Sequence, residues 1–198
     1  MYFVIVLDFG YPLPNTPGRT SIDDLAECCL WNYRHDRDAV ILAQKRTFRH
    51  LSQTYQTIGN TTTIPVFLPG RLFAITGDDV GQSSTNGTSG GGSYHVLRDA
   101  RGMIQAKMGK QEHPYNDNVA PRGASQLRGN PVVHVVAHQA HLPRVLKQGK
   151  LFGLNLQPAP NLPSQFYPCA AQWWCRSQPL WLLREIIGFI PLKMAGQI

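Results

Sequence analysis

The sequence contains no uninterrupted apolar run of the length a bilayer requires, no tract of five or more lysines and arginines, and no cysteines at a zinc-ligand spacing. The first absence argues against a spanning helix, which needs about 20 apolar residues. The apolar stretch LWLLREIIGFIPLKMA is broken by Arg184, Glu185 and Pro191. The second argues against a nucleic-acid partner. The formal charge is +7, but Arg34, Arg37, Lys45, Arg46, Arg49, Arg98, Arg101, Lys107 and Lys110 are scattered rather than gathered into a footprint. The four cysteines, Cys28-Cys29, Cys169 and Cys175, suit neither a disulfide framework nor a metal, so reduced, mostly buried thiols are expected. The opening MYFVIVLD has no basic segment before it and reads as a first strand rather than a leader. A cytoplasmic location is the expectation. With 16% charged and 42% hydrophobic residues the composition is globular, and 198 residues suit one α/β domain over 1–198.

What is present centres on PVVHVVAHQAHLPRVLKQGKLFG, residues 131–153. Pro131 to Ala137 carries four valines, as a central strand of a parallel sheet does when both faces are covered. His141-Leu142-Pro143-Arg144 reads as a turn closing into a helix, because proline has its φ already set for a first helical turn and needs no amide partner there. Val145 to Leu151 continue that helix and Gly153 stops it. Loops leaving the carboxyl ends of parallel strands border the ligand crevice, so His138, His141 and Arg144 are expected together at such an edge. There the helix amino terminus and a bidentate Arg144 would hold a phosphate or carboxylate. The competing reading is that His141 and Arg144 only cap the helix and pair with a surface acid.

The rest of the chain supplies the layers. Tyr2 to Leu7 reads as the first strand, with Asp8-Phe9-Gly10 at its carboxyl end, where a short acid and a glycine allow a ligand close approach. Thr20 or Ser21 caps a helix whose stripe is Ile22, Leu25, Ala26, Cys29, Leu30 and Tyr33, with Cys28 and Trp31 off it. Further strands are expected at Ala39 to Ala43, Leu72 to Thr76 and Leu154 to Gln157, an extended segment at IPVFLP, and helices at Arg46 to Thr57 and Tyr94 to Met108. Lys110 to Asn130 reads as loop with a short helix around Ala124 to Leu127. Ala170 to Ile187 reads as helix, with Trp173, Trp174, Trp181, Leu182 and Ile186 covering a sheet edge. Thr76-Gly77-Asp78-Asp79 closes a strand ahead of Gly81 to Ser93, which holds five glycines and no charge. No GKS or GKT follows and no GxGxxG is in place, so a flexible surface loop or lid is favoured over a phosphate cradle. His134 and His138 would stand about 13 Å apart in an extended strand at ~3.3 Å per residue, so no metal site is expected. The sum is an α/β chain, a Rossmann-like three-layer sandwich with a mainly parallel central sheet.

VVHVVAHQAHLPRVLKQGKLFGL resembles the strand-turn-helix of the YdcF/SanA/ElyC-like family, a valine-rich strand followed by H-x-P-R and a helix ending before a glycine. VIVLDFG is similar to that family's opening strand. ITGDD stands where the family has Ser/Thr-Gly-Gly, with Asp78 in place of the second glycine. LRDARGMIQAKMG resembles its acid-led helix, with Asp99 as the acid, and LREIIGFIPLKMAG its closing arginine-glutamate helix. The resemblance implies a Rossmann-like sheet with one cleft, S-adenosylmethionine as a ligand in some members, and the soluble branch of the family. On this reading the chain binds a nucleotide-like or phosphorylated anionic small molecule. Asp8, Gly10, Thr76, Gly77, His138, Arg144 and Asp99 are expected to line the site. His141 and Asp78 are the candidates for hydrolase or transferase chemistry, His141 as acid or base. The alternative is a non-catalytic regulatory or interaction protein on the same fold.

Overall fold

The computed structural model describes residues 2–10, 17–35, 38–58, 67, 70–75, 92–108 and 131–194. Strands and helices alternate along them: β1 (Tyr2–Val6), α1 (Ser21–His35), β2 (Ala39–Gln44), α2 (Lys45–Ile58), β3 (Leu72–Ile75), α3 (Ser93–Lys107), β4 (Val133–Val136), α4 (Leu142–Leu151), β5 (Leu156–Pro158) and α5 (Gln178–Met194). A single 3-10 turn, Trp173–Cys175, precedes α5. The five strands form one sheet in the order β3-β2-β1-β4-β5, and every pairing is parallel. This is an α/β three-layer sandwich of the Rossmann-like kind.

Side-chain alternation along β1 assigns the two outer layers, because successive residues of a strand point to opposite faces. Val4 and Val6 join Leu25, Ala26, Cys29 and Tyr33 of α1 and Leu51 of α2. Phe3 and Ile5 join Val96, Leu97, Ala100 and Ile104 of α3 and Val145 of α4. Ile41 and Ala43 of β2 go with the first group and Val40 and Leu42 with the second. Residues 3–6 have no exposed surface at all, which is why the strand is an unbroken apolar run rather than an alternating one. Each such side chain contributes roughly 1.5–3 kcal/mol by leaving water.

The start of α1 is fixed locally. The Asp23 carboxylate accepts from the Thr20 N–H at 2.7 Å, and Thr20 Oγ1 accepts from the Asp23 N–H at 3.4 Å, a reciprocal cap. Cys28, read as lying off the core stripe, is buried, with its Sγ donating to the Pro160 carbonyl at 3.4 Å. The loop after β5 folds over that side of α1, a cover that helical periodicity alone does not report. Trp31 is exposed. Gly92 caps α3 and Ser93 is its first residue, so the end of the glycine-rich stretch belongs to a helix start. The IPVFLP expectation apart from Phe67, the loop and lid readings for 81–91, and the loop reading for 110–130 lie outside the described residues.

The segment Ala170 to Ile187 departs from the expected single helix. It is a bridge residue, the 3-10 turn and then α5, which carries Pro179 in its first turn. Trp181 is buried, but Leu182, Leu183, Ile186 and Ile187 are 46–70% exposed and cover no sheet edge. The helix meets the domain along the stripe of Trp181, Arg184 and Glu185, positions that share one face at a period of 3.6. No described helix is long and apolar enough to cross a membrane.

Candidate functional site

β1 and β4 are neighbours in the sheet, yet α1 after β1 covers one face and α4 after β4 covers the other. The two strands therefore lead apart at their carboxyl ends, the place where ligands of such sheets bind; here Phe166, Cys175 and Trp181 pack against Phe9, Gly10 and His138 at that place. Phe9 and Gly10 reach it from β1, and His138 to Arg144 from β4 and the turn into α4.

That turn is built as the sequence suggests. α4 starts at Leu142 with Pro143 in its first turn, and Gly153 after it adopts φ +63°, a left-handed conformation that glycine adopts without strain. The amides expected to face an anion are taken internally: the His141 N–H bonds the His138 carbonyl at 2.9 Å, and the Leu142 N–H bonds it at 3.2 Å. Pro143 has none to offer. Side chains, rather than those two amides, are what this turn has to offer a ligand.

His141 and Arg144 are three residues apart on one helical turn, so they face the same way. Arg144 Nη2 donates to His141 Nε2 at 2.9 Å. A guanidinium only donates, so Nε2 is the acceptor nitrogen and a neutral His141 carries its proton on Nδ1. That Nδ1 is buried and has no hydrogen-bond partner, and Arg144 Nε is in the same condition. Burial, then the nearby Arg144, holds the imidazole well below its usual pKa, so it is neutral. Arg144 is lowered to about 10 by burial and by Arg184, and remains charged. The pair thus presents two N–H donors without acceptors.

α5 completes the cluster. Arg144 Nη1 contacts Glu185 Oε1 at 2.8 Å and Arg184 Nη1 contacts the same oxygen at 2.5 Å. Trp181 lies beneath both guanidinium groups, 5.5 Å from Arg144 and 5.2 Å from Arg184, and its Nε1 donates to the Ala140 carbonyl at 3.1 Å. Two guanidinium groups and one carboxylate leave a net positive charge. Trp181, Arg184 and Glu185 are not among the residues the sequence points to here; the Arg184-Glu185 pair of LREIIGFIPLKMAG is their one visible signal.

The other expected residues have different employments. His138 stacks on Phe9 with centroids 3.9 Å apart; its Nδ1 accepts from the Ala140 N–H and its Nε2 donates to the Gln165 carbonyl, both at 3.2 Å. Burial lowers its pKa, and both nitrogens are satisfied. Asp8 caps α2: its carboxylate accepts from the Arg46 N–H at 3.2 Å, the Thr47 N–H at 3.1 Å and the Thr47 hydroxyl at 2.5 Å. Burial raises its pKa, offset in part by the bonds from Thr47 and Arg46. Gly10 has φ +55°, and a Cβ there would stand 2.8 Å from the Cys175 Cβ, so its close approach is to the protein itself. The carbonyls of Phe9 and Gly10 both accept from the Ser21 hydroxyl. Cys175 is a thiol, pushed up to about 12 by burial. Asp99 pairs with its neighbour Arg98 at 3.2 Å. Thr76, Gly77 and Asp78 lie outside the described residues. Comparison with family models, curated proteins and solved structures returned no match for this chain.

Proposed function

We propose that this chain is a small-molecule-binding α/β protein of the YdcF-like kind, working in the cytoplasm, that holds the anionic group of a nucleotide-like or phosphorylated ligand at the His141–Arg144 pair. The observation that carries this reading is the pair of buried donors, His141 Nδ1 and Arg144 Nε, that have no acceptor. A buried donor left without a partner costs about 1–3 kcal/mol, and an oxyanion satisfies it. The net positive charge of the cluster and its place at the switch point support the same reading.

His141 with Nε2 engaged by Arg144 serves as a donor that orients the anion. Hydrolase or transferase chemistry would require Arg144 to release Nε2 so that the ring could take a proton. The donor set fits the carboxylate of S-adenosylmethionine as well as a phosphate. Asp8, expected to bind a hydroxyl or ammonium of such a ligand, is engaged by the start of α2, so the fit covers the carboxylate end only. A second reading, a non-catalytic regulatory or interaction protein, is favoured by the exposed apolar face of α5.

A thermal-shift screen of inorganic phosphate, pyrophosphate, nucleoside monophosphates and S-adenosylmethionine tests the proposal on wild type and Arg144→Lys. Lysine keeps the charge but loses Nε and the fork. A ligand at 100 times its dissociation constant stabilises by roughly 2.7 kcal/mol, and Arg144→Lys should abolish that gain. A gain retained in the variant contradicts the proposed site. Turnover assays on any ligand found separate the catalytic reading from the second one.

A further inference from the structure

The proposed anion site already contains an anion. Glu185 reaches Arg144 from α5, yet it does so with a single oxygen: Oε1 accepts from both Arg144 Nη1 and Arg184 Nη1. A permanent structural pair of arginine and carboxylate is commonly bidentate, with two parallel bonds. Here the fork is divided, one Nη on Glu185, the other on His141, and Nε on nothing. Arg144 is anchored, with 12% of its side chain exposed, whereas Glu185 at 28% and Arg184 at 33% lie toward solvent. The carboxylate can therefore swing outward while Arg144 stays.

Resting on the reading above, we propose that Glu185 is a specificity-determining residue, an internal counter-anion that occupies Arg144 until a dianionic phosphate group displaces it. Glu185 is tethered to the same chain, so its effective concentration at Arg144 is of millimolar order or higher. A free carboxylate or chloride carries no more charge than the incumbent and must compete with that tether. A phosphate dianion carries twice the charge and more acceptor oxygens, enough to engage Arg144 and Arg184 together, as Glu185 Oε1 does now. The residue thus narrows the ligands that the donor set alone would accept: it excludes monoanions, the carboxylate of S-adenosylmethionine among them, and admits phosphate monoesters or inorganic phosphate.

The test is isothermal titration of wild type, Glu185→Gln and Glu185→Asp with inorganic phosphate and with acetate, at pH 8 and constant ionic strength. Glutamine is nearly the same size and removes the competing charge. Aspartate, shorter by one methylene, weakens the contact and serves if the glutamine variant does not fold. Wild type should bind phosphate and not acetate. Either variant should bind phosphate at least tenfold more tightly and gain measurable affinity for acetate, and adding Arg144→Lys should abolish both. Equal or weaker phosphate binding in the variants, with wild type binding normally, overturns the counter-anion and leaves the site standing. Absence of phosphate binding in wild type and variants alike overturns both.

Discussion

Substituting Gly10 by alanine separates a glycine kept for the fold from one kept for a ligand. Two costs add at this position. A side chain at φ +55° is strained by roughly 1–2 kcal/mol, since the left-handed region crowds Cβ against the following carbonyl. The new Cβ would lie 2.8 Å from the Cys175 Cβ, an atom tied directly to the backbone and unable to rotate away, and such overpacking costs about 1–3 kcal/mol. Gly10→Ala should therefore lose about 2–5 kcal/mol in urea-induced unfolding. A cycle with Cys175→Gly isolates the contact, because removing that Cβ abolishes the clash and leaves the strain. The double variant should show a favourable coupling of about 1–3 kcal/mol. If Gly10→Ala lies within about 0.5 kcal/mol of wild type, as an ordinary surface change would, the turn is not held against Cys175 and the reasoning fails.

The buried ionisable groups make opposite contributions to pH dependence. The Asp8 carboxyl is raised above 3.8, so the native state binds its proton more readily than the unfolded chain and stability falls as pH rises from there through the folded value. Asp8→Asn, which retains a cap on α2, should flatten that decline when urea midpoints are compared at acid and neutral pH. His138 and His141 are lowered from 6.5, so the unfolded chain takes up protons first and stability is lost as pH falls below that value. His141→Gln should show a smaller acid loss between about pH 7.5 and 5.5 in the same assay. Trp181→Phe removes the donor to the Ala140 carbonyl at 3.1 Å and should cost about 1–3 kcal/mol by leaving that acceptor without its partner; thermal unfolding reads it.

What the chain announces about itself is mostly local. The valines of 131–137, Pro143 and Gly153 place β4, the turn and α4 because strand periodicity, a preset φ and a left-handed stop are properties of a few adjacent residues. His141 and Arg144 were legible for the same reason, being one helical turn apart. The cap that Asp8 places on α2 was not legible, because its partners, Arg46 and Thr47, are set beside it by the β1–β2 register and not by sequence proximity. The contact at Gly10 was hidden likewise, its neighbour Cys175 arriving from the far end of the chain. His138 has the appearance of a ligand in sequence and the bonding of a satisfied core histidine in the fold. Glu185 carries a visible motif, but nothing linear says that α5 returns to the switch point. Leu182 and Ile186 were assigned to a sheet edge on apolar character alone, and that does not distinguish the inner from the outer face of a helix.

The most direct test of the anion site is the nitrogen spectrum of the histidine side chains, recorded by long-range proton–nitrogen correlation while inorganic phosphate is added. The expected result is a neutral His141 with its proton on Nδ1, the opposite tautomer from His138, and His141 ring-nitrogen resonances that move to saturation with phosphate. A His141 with its proton on Nε2, or one whose resonances do not move while phosphate binds the protein, would contradict it.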